Sequence, residues 1–161
     1  MFTVAEHLRL RNSHEGDAPF RRALYAATRD DLRQLPMSPQ FIDNLISMQQ
    51  KIHEDGQRNA FPRAQHWIVE YHDEAVGRVV FDMSGAEWRL VDIAIAPAAR
   101  RQGVAGAVLR ALQRRAAGQR AAISLAVAHG NDGARRLYAA AGFQPQASDA
   151  LRQQMLWQCP C

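Results

Sequence analysis

Residues 96–112 read APAARRQGVAGAVLRAL, and this stretch decides the fold. Before it stands WRLVDIAI (88–95), an apolar run of strand character. After Gly103 the apolar residues Val104, Val108 and Leu112 recur at helical spacing. A strand therefore ends, Arg100, Arg101 and Gln102 turn a corner with Gly103, and a helix begins. A helix N-terminus carries unpaired N–H groups and partial positive charge. A glycine there lets a ligand approach the backbone, and two arginines add charge. The combination describes an anion site of phosphate type. The spacing matches neither GxxxxGK[ST] nor GxGxxG, which argues against a nucleotide triphosphatase and a dinucleotide dehydrogenase. Taken alone, the corner is explained equally well by a solvated arginine pair at a helix start.

Working outward, AAISLAVA (121–128) reads as a strand covered on both faces. The unit from Glu87 to Ala128 is then a parallel, right-handed strand–helix–strand crossover. Upstream, HWIVEY (66–71) and AVGRVVFDM (75–83) flank the turn residues His72-Asp73-Glu74 and predict a hairpin, with 87–96 as the third strand of a meander. His7–Ser13 is a short first strand. Residues 19–35 read as a helix with Phe20, Leu24, Thr28 and Leu32 on one face, and Leu35 continuing it. Pro36 and Pro39 break the chain. Phe41, Leu45, Met48 and Ile52 mark a second helix ending near Asp55-Gly56, followed by a loop at 58–63. Downstream, 131–141 is a helix stopped by Gly142, and 143–147 and 152–158 are final strands. The expected fold is α/β: a mixed, mostly antiparallel sheet of six to seven strands with a parallel β-α-β unit in the middle and about four flanking helices.

The 161 residues suit one domain, 1–161. Apolar residues at 47% and charged residues at 22% describe an ordinary globular chain. No apolar run reaches membrane-span length and the N-terminus lacks a signal-peptide core, so a cytoplasmic protein without membrane attachment is expected. A net charge of +4 favours anionic ligands without choosing among them. Cys159 and Cys161, one residue apart, are poorly placed for a disulfide and read as free thiols in a terminal tail. The histidines at 7, 14, 53, 66 and 72 show no ligand spacing, so no metal is expected. Arg114-Arg115 and Arg135-Arg136 could form a basic patch, but no helix-turn-helix or stacking platform accompanies them, so no nucleic acid is expected as partner.

The pattern Arg100-x-x-Gly103-x-Ala105 after a strand resembles the acyl-CoA pyrophosphate loop of the GNAT N-acetyltransferase superfamily, R/Q-x-x-G-x-G/A. Ala105 stands where many members have glycine, which the motif allows. Downstream, Leu125-Ala-Val-Ala-His-Gly-Asn131-Asp-Gly-Ala134-Arg-Arg-Leu137-Tyr138-Ala-Ala-Ala-Gly142-Phe143 resembles the second signature, a strand followed by N-x-x-A-x-x-L-Y-x-x-x-G-F. LYAATRDDL (24–32), FIDNLISMQQKIH (41–53) and RLVDIAI (89–95) are similar to a small bacterial branch of that family. The resemblance implies acetyl-CoA as cosubstrate and transfer to a primary amine by direct attack in a ternary complex. It assigns pyrophosphate contacts to Arg101, Gln102, Gly103, Val104, Ala105 and Gly106, with the Arg100 side chain nearby. Ile93 and Ile95 would pair by backbone with the pantetheine arm as an added strand. That requires the third meander strand and 121–128 to splay apart. Asn131 would contact the same arm, and is equally read as a helix N-cap. The family allows a homodimer.

Tyr138 stands where the family's general acid sits, and its other reading is an aromatic packing its helix on the sheet. Asp92 is a carboxylate inside an apolar strand, costly there unless paired or serving a ligand. It is read as the group that binds or deprotonates the amine, or as the partner of Arg78 or Arg89. Glu87 and Glu70 are reserves, each more simply solvated or paired across strands. His129 is read as a loop residue or a proton relay. Trp67, Trp88 and Trp157 read as core. Phe41, Met48 and Phe61 are candidates for an acceptor wall, though stripe positions such as Phe41 and Met48 more often belong to a core. Competing functions are a non-catalytic acyl-CoA-binding sensor of the same fold and a basic nucleic-acid binder.

Overall fold

Strand alternation sends most apolar side chains to one face of a single sheet and the charged ones to the other. The computed structural model describes residues 2–160. The strands are β1 (Phe2–Ala5), β2 (Leu8–Asn12), β3 (Gln65–Tyr71), β4 (Glu74–Asp82), β5 (Glu87–Ile95), β6 (Ala122–Ala128), β7 (Gln144–Ser148) and β8 (Arg152–Trp157). Their order across the sheet is β1-β2-β3-β4-β5-β6-β8-β7. Neighbours are antiparallel except β5 and β6, the parallel pair joined by α4 (Val104–Gly118). Helices α1 (Ala18–Ala27), α2 (Asp30–Arg33) and α3 (Pro39–Ala60) connect β2 to β3, and α5 (Asp132–Ala140) connects β6 to β7. Among the described residues no helix is long and apolar enough to cross a membrane. Cys159 is half-buried, and Cys161 lies outside the described residues.

The mixed α/β sheet with a central parallel unit is the expected architecture, with eight strands in place of six or seven. The extra one is β1. Its four residues are too few to show a pattern of their own; pairing with β2 forms it, across a hairpin in which His7 takes φ 64°. Five α-helices stand where about four were expected. The helical pattern of 19–35 breaks at Thr28, whose hydroxyl donates back to the Tyr25 carbonyl at 2.7 Å. The β3–β4 hairpin turns through His72 and Asp73, both left-handed (φ 51° and 65°), a two-residue turn matched to strand twist.

The side of the sheet under α4 and α5 holds the apolar core. Leu8, Leu10, Trp67, Val69, Val79, Phe81, Trp88, Leu90, Ile123, Leu125, Met155 and Trp157 meet Val108, Leu109 and Leu112 of α4 there. The three tryptophans are core residues, as expected. The strand β6 differs from its apolar reading: Ile123, Leu125 and Val127 are buried, while Ser124 and Ala126 on the other face are half-exposed and Ala128 exposed.

The opposite face carries Arg78 and Asp92 beside buried Ile68 and Val80, and it reorients α3. Ser38 caps this helix, its hydroxyl accepting from the Phe41 N–H at 3.1 Å, with Pro39 in the first turn. The helix runs through Gly56 to Ala60, past its expected end, and shortens the expected loop. Its buried apolar residues are Ile42 and Ile46, packed with Leu32. Of the expected apolar stripe Leu45 packs on that cluster, whereas Phe41, Met48 and Ile52 are turned outward, 49%, 54% and 65% exposed. The side of α3 that meets the sheet carries Glu54 and Gln57, because the strands beneath present Arg78 and Asp92.

Candidate functional site

The site begins with one extra residue in β5. Val80 pairs with Asp92 and Phe81 with Leu90, so Val91 has no opposite number and forms a bulge. Without it, Trp88, Leu90 and Asp92 would alternate onto the same apolar face. With it, Ile93 and Ile95 continue the core face and Asp92 turns toward α3. There Asp92 Oδ2 accepts from Gln57 Nε2 at 3.0 Å and from Arg78 Nη1 at 3.3 Å, and lies 3.4 Å from His53 Nε2. Arg78 also donates to Gln57 Oε1 at 3.0 Å and stands 4.0 Å from Glu54, which pairs with Arg21 at 3.3 Å. Burial pushes the Asp92 carboxyl up; the bonds to His53 and Gln57 and the charge of Arg78 outweigh it and hold the group below its ordinary value. Burial likewise depresses Arg78 and His66, whose Nδ1 is 3.4 Å from Arg78 Nη2. The expected pairing of Asp92 with Arg78 is present, and the pair faces open space.

That space has three parts meeting at Asp92. The strands β5 and β6 pair only from Glu87↔Ala122 to Arg89↔Ser124 and then part. The parting leaves a gap of about 140 Å³ lined by Val91, Asp92, Ile93, Ala126, Asn131 and Tyr138. On the α1 side of α3 lies a cavity of about 370 Å³, bounded by Tyr25, Arg29, Arg78, Asp92, Ile93 and Asn131. On the other side lies one of about 500 Å³, bounded by Ile52, Phe61, Arg89, Asp92, Ala128 and Arg152. Asp92 and His53 line both flanking cavities.

Tyr138 is buried, and its ring meets Phe143 edge-on at 5.9 Å. It therefore packs its helix and lines the gap at once. Burial, with a smaller contribution from the Asp92 charge, pushes its hydroxyl up to about 12. Asn131 caps α5, its Oδ1 accepting from the Ala134 N–H at 3.2 Å.

The corner lies at the C-terminal end of β5. A 3₁₀ turn at Pro97–Ala99 follows the strand, and Arg100 Nε reaches back to the Ile95 carbonyl at 3.1 Å. Arg101 (φ 64°) and Gly103 (φ 76°) are left-handed, and Gly103 is the N-cap of α4. Such turns aim successive N–H groups outward. A Cβ placed on Gly103 would meet nothing within 4 Å, so the helix start is open. Gln102 Nε2 donates to the Ala98 carbonyl at 3.4 Å, and buried Val104 pins the first turn to the core. Half-exposed Ala105 and Gly106 complete that turn, and a Cβ on Gly106 would lie 3.9 Å from Leu137. An open, left-handed, basic corner fits a pyrophosphate.

The remaining sequence candidates fall outside this cluster. Glu70 bonds Arg9 and Arg11 at 2.9 and 2.8 Å, a cross-strand pairing as expected. Glu87 is exposed, and His129 contacts the Asp149 carbonyl at 2.7 Å. Phe61 borders a cavity, whereas exposed Phe41 and Met48 border none of the three. Sequence reasoning missed His53, Glu54 and Gln57. Their signal was a polar i, i+4 pair, His53 and Gln57, in a helix otherwise judged by its apolar residues.

The fold is shared with solved acetyltransferases. PaiA N-acetyltransferase of Thermoplasma acidophilum, solved with coenzyme A, superposes with a TM-score of 0.70 at 12% identity, covering 94% of this chain and 99% of that one. Spermidine N-acetyltransferase of Vibrio cholerae, a dodecamer, gives 0.65 at 20% identity over 96% and 95%. An acetyltransferase of Salmonella typhimurium that modifies the N-terminal serine of ribosomal protein L7/L12 gives 0.67 at 14% identity over 97% of each chain. A comparison with curated protein sequences found no match. The model of the acetyltransferase (GNAT) family matches residues 28–143. That span holds the bulged strand, the corner, the parting and the tyrosine helix, so the chain is an acetyltransferase and belongs to the GNAT family.

Proposed function

We propose that this enzyme transfers an acetyl group from acetyl-CoA to a primary amine by direct attack in a ternary complex. One observation carries the reading: Asp92 and Tyr138 line the same gap where β5 and β6 part. Residues 1–161 are read as one cytoplasmic acyltransferase domain, in keeping with the single sheet that takes strands from both ends of the chain.

Acetyl-CoA supplies an acetyl thioester, whose acyl carbon the amine attacks as the thiol departs. The N–H groups of Arg101–Gly106 would hold its pyrophosphate beside Arg100. The unpaired edge of β5 at Ile93 and Ile95 would carry the pantetheine arm, with Asn131 across the gap. An alkylammonium with a pKa of roughly 10.4 must lose a proton before attack. A carboxylate held below its ordinary value is a strong anchor for that ammonium and a weak base. Asp92 therefore binds and orients the amine, and His53, 3.4 Å away and exposed, takes the proton directly or through water. Tyr138 keeps its proton at neutral pH and donates it toward the leaving sulfur. The Vibrio cholerae and Salmonella typhimurium proteins act on a polyamine and a peptide N-terminus, which supports an amine acceptor here.

The test is release of free CoA thiol from acetyl-CoA across a panel of amines, with Tyr138→Phe in parallel. Turnover with one amine class, lost in the variant, is expected. Absence of acetyl-CoA binding would refute the reading.

A further inference from the structure

The cavity on the β8 side of α3 is charged in a way that amine transfer alone does not explain. Alternation places Arg89, Ser124, Ala126, Arg152 and Gln154 on the sheet face under α3. Arg89 is half-buried there, its Nη1 donating to Ser124 Oγ at 3.2 Å and to Gln154 Oε1 at 3.0 Å, both neutral groups. Its guanidinium stands 6.0 Å from the Phe61 ring. Arg11 and Arg78, on the same sheet face, and Arg21 of α1 each have a carboxylate within 4.0 Å. Among the described residues neither Arg89 nor Arg152 has one. Burial and the neighbouring charge of Arg152 both depress Arg89, while Glu87 acts on it the other way without pairing.

A half-buried cation beside a second cation, with no carboxylate paired to either, is a site waiting for an anion. A guanidinium takes a carboxylate in bidentate geometry. Asp92 lines the same cavity, with Phe61 and Ala128 among its apolar walls. One cavity thus offers a negative group at Asp92 and a positive pair at Arg89 and Arg152.

We propose that the acceptor is an amine bearing a carboxylate, its ammonium at Asp92 and its carboxylate at Arg89 and Arg152. This rests on the amine-acetyltransferase reading above and narrows its substrate to amino acids. Polyamines present a second cation to the arginine pair and are disfavoured.

The experiment measures CoA release with acetyl-CoA over matched acceptors: α- and ω-amino acids and the carboxamide of each, with spermidine and a lysine peptide alongside. Wild type, Arg89→Gln and Arg152→Gln are compared. At least one amino acid is turned over with kcat/KM about tenfold or more above its carboxamide, the loss of one charge-assisted pair. Arg89→Gln raises KM for that amino acid about tenfold and leaves the carboxamide within about twofold. Arg152→Gln, at an exposed position, shifts KM in the same direction and serves if the first variant does not fold. Preference for a carboxamide, spermidine or the peptide overturns the proposal. So does equal loss for both members of a pair. Acetyl-CoA binding by calorimetry without turnover of any amino acid overturns the acceptor assignment alone; no acetyl-CoA binding overturns the transferase site beneath it.

Discussion

Gln57 donates to Asp92 through its amide nitrogen at 3.0 Å, and its amide oxygen accepts from Arg78 at 3.0 Å. One neutral side chain therefore ties the carboxylate to the buried guanidinium. Gln57→Leu removes a donor from Asp92, and Arg78→Met removes the charge. In either variant the burial that favours the neutral acid is less opposed, so the Asp92 pKa rises. The acid limb of the kcat/KM profile then moves to higher pH. Arg78→Met also lowers stability by about 3 kcal/mol, since it takes from half-buried Asp92 its one guanidinium partner. An acid limb that stays in place in both variants would remove Asp92 from the mechanism.

Tyr138→Phe keeps the ring that packs against Phe143 and removes only the hydroxyl. Loss of a proton donor typically costs about 100-fold or more in kcat. The Kd for acetyl-CoA, measured by calorimetry, stays within about twofold. Equal loss of rate and binding would mean that Tyr138 serves packing alone.

Gly103→Glu tests the corner. A side chain at φ 76° costs about 1 kcal/mol in backbone strain, and the carboxylate repels a pyrophosphate. Acetyl-CoA affinity falls by about 100-fold or more, while Gly103→Ala, which carries the strain without the charge, loses much less. Circular dichroism verifies folding. Tight binding by folded Gly103→Glu would refute the pyrophosphate assignment.

Asp17 is buried and takes a bidentate pair from Arg11 at 2.7 and 2.8 Å. The hydrogen bonds from Arg11 lower its pKa from 3.8 to about 2. Folded-state depression means that the contribution is full above the unfolded pKa and is lost as pH falls through the folded value. It amounts to about 2 kcal/mol at neutral pH. Urea midpoints should place Asp17→Asn well below wild type at pH 7, with the difference shrinking as pH falls toward 2. A difference independent of pH would assign the loss to packing.

The legible parts of this site were those written in local sequence. The corner needs a strand, a glycine and a helix in succession, and all three signals lie within residues 88–112. Asn131 and Tyr138 belong to one helix whose N-cap and stop glycine are both explicit. Asp92 stood out as a charge in an apolar strand. What failed to show depends on rotation and register. Phe41, Met48 and Ile52 gave a clean apolar stripe, but the sheet face awaiting α3 was charged, so the helix turned His53, Glu54 and Gln57 toward the site instead. The positive end at Arg89 and Arg152 joins residues from two strands that are not neighbours. Its existence follows from β8 lying beside β6, which no short motif encodes.

The bulge at Val91 makes the enzyme's working face a matter of parity. Ahead of it even-numbered positions of β5 belong to the apolar interior; beyond it the odd-numbered ones do. Drawing Val91 into a regular ladder would straighten the strand and exchange the two sets, sending Asp92 toward α4 and Ile93 toward Gln57. The chain would then have to choose between a regular ladder and a hydrated carboxylate. A single residue left out of the ladder thus separates a chemical surface from a merely structural one built of the same strands in the same order.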